Sequence, residues 1–366
     1  MSLMPTHNPE NERIKRRYFA YLKEAKRRGE PSVDAAAKAL SRFELDTRFR
    51  AFKKFHPEQA VAFKRRLAEQ TNARTGKPLA KATIHSTLAA LKAFFFWLAG
   101  ESGFRSRLSY SDADYFNLSD RDARIARTRL DKPAPSLDEV CHVIQTMPAV
   151  SAIQRRDRAL VAFILLTGAR DGATASLKVK HVDLAAGCLL QDAREVATKF
   201  GKTFTTSFFP VGDEVRTIVH HWVEYLTTEL HWGPEDPLFP ATRVESGLDH
   251  AFRPVGLERR HWSSAEPIRE VFRRAFRGAG LPYYPPHRLR NTLVLLGEGL
   301  CQTPEQFKAW SQNLGHSDVL TTFTSYGDLS GARQAEVIRD LGRPRKTNAE
   351  ALSMLEEATK ALRRAD

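Results

Sequence analysis

Between residues 101 and 135 the helical periodicity of the N-terminal third stops, and Ser, Asp, Arg and Gly lead up to Lys132-Pro133-Ala134-Pro135. Two prolines in three residues bar a continuous helix at this point. The 366-residue chain is therefore expected to fold as two modules. Directly afterwards Ser136 and Glu139 stand at capping-box spacing ahead of Val140, Val143 and Ile144, so the second module opens on a helix. This reading gives a helical domain over 1–115, a linker over 116–135, a second domain over 136–345 and a separate C-terminal segment over 346–366.

The first module reads as helical throughout. Ile84, Leu88, Leu91, Phe95 and Leu98 recur at spacings of four and three, and Gly100 follows as a stop. Residues 14–28 and 57–70 are helix-like, with basic residues on their polar faces. Phe43, Phe49, Phe52, Phe55 and Phe63 sit near helical spacing and read as core, not as platforms for stacking bases. The second module is mixed. An apolar helix over 158–167 ends at Gly168, and short strands are expected over 187–191, 194–199 and 203–210, with a turn at Phe200-Gly201. Helices follow over 213–230, 267–277, 290–300 and 304–312, and an amphipathic helix is expected over 348–364. The fold class is mainly α with a small β-sheet in the second domain, α+β.

Charge separates the modules further. Residues 1–132 hold 28 Lys and Arg against 15 Asp and Glu, whereas the rest of the chain is nearly balanced, so almost all of the net charge of +14 lies in the first third. A basic module beside a neutral one points to a polyanionic partner. A hydrophobic content of 42% excludes a disordered or low-complexity chain. The longest apolar run, around 160–166, is too short to span a bilayer, and no membrane partner is expected. Cys141, Cys188 and Cys301 are too far apart for a disulfide frame or a zinc site, which suggests a reducing cytoplasm.

Polar residues at positions that packing does not require suggest the chemistry. Arg170 follows the apolar helix in Leu166-Thr167-Gly168-Ala169-Arg170, and Lys199 and Lys202 flank the expected turn. His287-x-x-Arg290 follows two prolines, and Leu314-Gly315-His316 precedes Tyr326 by ten residues. His-x-x-Arg alone carries little information, because His250 and Arg253 repeat it. As an ordered set the residues carry more. Arginine forks match phosphate oxygens and offset charge that grows in a pentacoordinate transition state. Tyrosine is a nucleophile once a base such as histidine takes its proton, and a lysine can protonate an expelled sugar oxygen. The set describes nucleophilic transfer at phosphorus with no clustered carboxylates to hold a metal.

In this order and at these intervals the motifs resemble those of the tyrosine recombinases, or phage-type integrases, over about residues 136–330, with the helical module before them similar to that family's core-binding domain. The resemblance implies a site-specific DNA recombinase that cleaves and rejoins strands through a 3′-phosphotyrosyl link, without cofactor or metal. Arg170 and Arg290 would hold the scissile phosphate, and His287 would support them and the proton transfers. Lys199 would protonate the leaving 5′-hydroxyl, His316 would orient the phosphate or assist deprotonation, and Tyr326 would attack. The implied partners are double-stranded DNA and three further copies in a homo-tetramer on paired sites, with accessory DNA-bending proteins as further candidates. The helix over 348–364 would dock on a neighbouring protomer or close its own domain. No separate arm-binding domain is expected before about residue 10.

Two positions depart from the family pattern. The acidic residue usual three after the first arginine is replaced by Ala173, with Asp171 nearer, and Tyr326 follows His316 by ten residues where nine is commoner. Lys202 replaces Lys199 as proton donor if the strands pair in another register. The other readings are a type IB-like topoisomerase, which shares this residue set, and a catalytically silent DNA-binding protein on the same fold.

Overall fold

A computed structural model describes residues 7–72, 75–127, 133–246 and 252–316. The chain divides between Leu130 and Asp131 into two compact units. The nucleophile expected at Tyr326 and the helix expected over 348–364 lie outside the described residues.

The first unit is helical: α1 Pro9–Ala20, α2 Glu30–Asp46, α3 Pro57–Glu69, α4 Lys81–Ala99 and α5 Asp120–Arg127. Local chemistry starts the first helix, where the Asn8 side chain accepts from the backbone N–H groups of Glu10 and Asn11 and proline takes the first helical position. Phenylalanines dominate the core. Phe43 meets Phe63, Phe95 and Phe116 edge-on, with ring centroids 5.3, 5.4 and 5.6 Å apart. Phe43, Phe52, Phe55 and Phe63 are buried as expected, while Phe49 is half-buried in a left-handed turn at φ 55°. Buried Asn11 donates to Glu44 Oε1 and to the Arg50 carbonyl and accepts from the Phe52 N–H, which ties α1 to the end of α2.

Three features differ from expectation in this unit. α2 was not expected, because its inward face mixes Val33, Ala36, Ala39, Leu40 and Phe43 and its alanines carry little hydrophobic contrast. The stretch read as a linker includes α5, which starts where the Ser119 hydroxyl accepts from the Asp122 N–H. The third concerns apolar length: α4, with 19 residues and a mean hydropathy of 1.3, is long and apolar enough to cross a membrane by composition. Its Ile84, Leu88, Leu91, Phe94, Phe95 and Leu98 instead fill the core of the helical unit, which accounts for that apolarity.

The second unit contains α6 Leu137–Thr146, α7 Ala152–Thr167, α8 Asp171–Thr174, α9 Asp213–Glu224, α10 Glu266–Gly278, α11 Arg288–Leu300 and α12 Pro304–Asn313. The capping box at the start of α6 forms: Ser136 Oγ accepts from the Glu139 N–H, and the Glu139 carboxylate accepts from the Ser136 N–H. α7 is buried on nearly every side, and α6, α9, α10 and α11 pack around it. β1 Val182–Asp183, β2 Cys188–Gln191 and β3 Phe204–Ser207 form an antiparallel sheet in that order, which leaves β3 at an edge. A separate hairpin pairs β4 Ala241–Ser246 with β5 Phe252–Glu258.

The strand expected over 194–199 does not form. The Asp192 carboxylate accepts from the Arg194 N–H and from the Arg194 side chain, and the Asp192 carbonyl accepts from the N–H groups of Glu195 and Val196, so the backbone turns instead of extending. The residues between β2 and β3 therefore form one long connection, in which Lys199–Gly201 is a single 3-10 turn. Glu195 in this connection receives both Lys178 and Lys180 at 2.8–2.9 Å, and these lysines hold its carboxyl down to about 2.

Candidate active site

Three segments of the second unit meet at the end of α7. α7 stops at Gly168, whose φ of 60° suits a residue without a side chain. Space adds a second constraint, because a Cβ there would lie 3.0 Å from Leu314 and 3.1 Å from Leu293. This close approach brings the end of α7, the inner face of α11 and the Leu314-Gly315-His316 turn together.

Arg290, in the first turn of α11, joins all three. Its Nη1 donates to the Gly168 carbonyl at 2.6 Å, and its Nη2 donates to the Leu314 carbonyl at 2.5 Å and to His316 Nε2 at 3.0 Å. A guanidinium has no acceptor, so Nε2 of His316 must be the acceptor and the neutral ring carries its proton on Nδ1. The charges agree with a neutral ring. The half-buried imidazole is pushed down to about 4, first by burial and then by the positive charges of Arg290, Arg170 and Lys202.

Arg170 stands at the start of α8, two residues after Gly168. Burial lowers its pKa, and among the described residues no hydrogen bond or ion pair engages its guanidinium. Ala173, where an acid was expected, is buried in the core. Asp171 does not take over that role, since its carboxylate accepts from Arg269 Nε at 2.9 Å and from the Gly172 N–H. This half-buried guanidinium and that of Arg290 both act on His316, with no carboxylate among the described residues acting on that histidine, a charge arrangement that can receive an anion.

The remaining residues fall as follows. His287 occupies the residue just before α11 and is exposed, one helical turn before Arg290. Lys199 is exposed in the β2–β3 connection, while Lys202 is half-buried, and Lys202 is the lysine whose charge acts on His316. The structure thus brings Arg170, Arg290 and His316 into one cluster with Lys202 in electrostatic reach. Sequence reasoning missed Asn313 and Phe204, which join β3 to the His316 turn. Asn313 immediately precedes the Leu-Gly-His triplet, but nothing in its local sequence announces a partner 106 residues away.

The phage integrase family pattern matches residues 136–333, more than half of the chain. No curated protein matches. Among solved structures the chain resembles a lambda integrase dimer bound to a COC′ core site, with 14% identity, coverage of 92% of this chain and 98% of that one, and a TM-score of 0.59. It also resembles the XerH site-specific recombinase bound to a palindromic difH substrate, with 18% identity, coverage of 88% and 83%, and a TM-score of 0.58. A third likeness is to the Tn1549 transposon integrase in complex with circular intermediate DNA, with 14% identity, coverage of 89% and 99%, and a TM-score of 0.56. These likenesses extend over the mainly helical fold with its small sheets, and the family match covers every residue of the cluster around Arg290. The chain belongs to the phage integrase family, the tyrosine recombinases.

Proposed function

We propose that this protein is a site-specific DNA recombinase whose anion receptor, Arg170 with Arg290 and His316, seats the scissile phosphate. The observation that carries the reading is the Arg290 fork, bonded at once to the end of α7 and to both Leu314 and His316, beside a second guanidinium with no carboxylate partner among the described residues. Such an arrangement is built before substrate arrives, so charge developing on phosphorus meets fixed donors.

The Tyr326 phenol oxygen then attacks phosphorus, its proton passing to a histidine of the set, with His316 assisting and His287 supporting the transfer, and the bond to the 5′-oxygen breaks as a lysine ammonium protonates that oxygen. The product is a 3′-phosphotyrosyl link and a free 5′-hydroxyl. The link retains the bond energy, so an incoming 5′-hydroxyl can reverse the step with a different strand. Lys199 holds the motif position for the donor, and Lys202 has the electrostatic reach to His316. The basic helical unit supplies phosphate contacts on the duplex, and strand exchange takes place in a homo-tetramer on two sites. Accessory DNA-bending proteins would act on the DNA between such sites. The dimer and Holliday-junction tetramer described for lambda integrase support the assembly.

Covalent capture tests the reading. Nicked DNA fragments incubated without added metal should give SDS-resistant adducts with the wild type and none with Tyr326→Phe. Adducts converging on one short inverted repeat identify a recombinase and its site. Adducts scattered over all sequences identify a topoisomerase, and equal adducts from both proteins remove Tyr326 from the mechanism.

A further inference from the structure

β3 is the edge of its sheet, so the N–H and C=O groups that point away from β2 need partners elsewhere. At Ser207 both of them are met by one side chain. Asn313 Oδ1 accepts from the Ser207 N–H at 2.7 Å, and Asn313 Nδ2 donates to the Ser207 carbonyl at 2.8 Å. The Asn313 amide therefore pairs with β3 as a neighbouring strand would. The Thr206 hydroxyl adds a third bond, donating to the Asn313 carbonyl at 3.1 Å.

A second joint lies closer to the chemistry. Gly315 packs against the Phe204 ring so tightly that a Cβ on it would stand 2.7 Å from Cε2 and Cζ. Phe204 is two residues after Lys202, and Gly315 immediately precedes His316. The edge of β3 is thus pinned to the turn that presents His316, and the connection that ends at β3 carries both candidate proton donors. The other end of that connection is held by the Asp192 turn and by Glu195, which receives Lys178 and Lys180.

We propose that Asn313 is a positioning residue for the proton donor: by completing the edge of β3 it sets the distance between the lysine-bearing connection and the phosphate seat at His316. The proposal rests on the recombinase reading above and adds to it a residue that touches neither phosphate nor leaving group. A displacement of about 1 Å at a reacting group can cost a hundredfold in rate, so a joint this close to the donor acts on catalysis as well as on folding.

A leaving group that needs no proton separates the two effects. Replacing the bridging 5′-oxygen at the scissile phosphate with sulfur gives a thiolate, whose conjugate acid has a pKa of about 8.5 and which departs without general acid. Single-turnover formation of the Tyr326 adduct is measured on oxygen and sulfur substrates with wild type, Asn313→Leu, Lys199→Ala and Lys202→Ala. The expected result is a loss of roughly tenfold to hundredfold for Asn313→Leu on the oxygen substrate, with a sulfur-substrate rate within about twofold of wild type and unchanged DNA affinity. Equal losses on both substrates, or no loss on oxygen, would overturn the proposal. Thr206→Val removes one of the three bonds and should show the same sulfur rescue with a smaller loss, which keeps the test decisive if Asn313→Leu does not fold. The lysine variants identify failure at the other level: if neither shows sulfur rescue, no lysine of this connection is the general acid, and the recombinase mechanism proposed above fails at that step along with the role of Asn313. If one of them shows rescue and Asn313→Leu does not, only the Asn313 proposal fails.

Discussion

His316 concentrates the electrostatics of the site. Burial and three neighbouring cations hold its imidazole at about 4, so the ring is neutral at physiological pH, with Nε2 accepting from Arg290 and the proton on Nδ1. An arriving phosphodiester brings negative charge into the same field, so binding of a DNA site by Tyr326→Phe should raise the His316 pKa in an NMR titration. Arg290→Gln should raise it in the free protein, because the nearest positive charge is removed. Stability follows with a definite sign. The folded pKa lies below the ordinary value near 6.5, so the unfolded chain binds more protons between those values, and this group destabilises the fold progressively as pH falls from about 6.5 toward 4. Arg290→Lys keeps the charge but loses the fork that reaches Gly168, Leu314 and His316 together. It should reduce adduct formation by roughly a hundredfold or more, in line with the loss of a fixed donor to transition-state charge.

At the scale of elements, the site depends on helices brought close by glycine. Gly297 on α11 lies against the indole of Trp310 on α12, where a Cβ would stand 2.5 Å from Nε1, and that same Nε1 donates to the Leu293 carbonyl at 2.9 Å. Gly297→Ala must displace the indole and its hydrogen bond, and should destabilise the protein by about 1–3 kcal/mol in urea unfolding. The change should also loosen the Leu314-Gly315-His316 turn that follows α12. Helices were largely legible in the sequence at this scale, since α4, α6, α7, α9, α10, α11 and α12 each show an apolar stripe, a cap or a stop close to where the structure has them. α2 was not, because alanine gives its stripe little contrast. The strand expected over 194–199 failed for a different reason: the Asp192 carboxylate takes the Arg194 N–H and its carbonyl takes those of Glu195 and Val196, so a local turn uses the donors a ladder would need.

For the whole molecule, the uneven charge predicts how DNA is held. With 28 Lys and Arg against 15 Asp and Glu in residues 1–132, most non-specific affinity should come from phosphate contacts of that unit. Raising salt from about 50 to about 200 mM should weaken DNA binding by roughly a thousandfold or more in a fluorescence anisotropy titration. Substituting Arg170 or Arg290 should leave that salt dependence nearly unchanged while abolishing adducts, because one phosphate contact is a small part of the total. A loss of affinity as large as the loss of adducts would assign the catalytic arginines to bulk DNA binding.

The sequence by itself determined the two-unit organisation, the helical character of both units, the location of the excess charge and the ordered set of arginines, histidines, lysine and tyrosine. These are encoded locally, in periodicity, caps, prolines and side-chain chemistry. Only the tertiary structure decided which of those residues meet. Arg290 reaches Gly168 across 122 positions, and Asn313 meets Ser207 across 106. Asp171 turns to Arg269 and leaves Arg170 without a carboxylate partner among the described residues. Lys202 acts on His316 because the folded connection brings its charge there. Such pairings depend on how whole elements pack, and burial then sets the strength of each charge, so no stretch of sequence carries them alone.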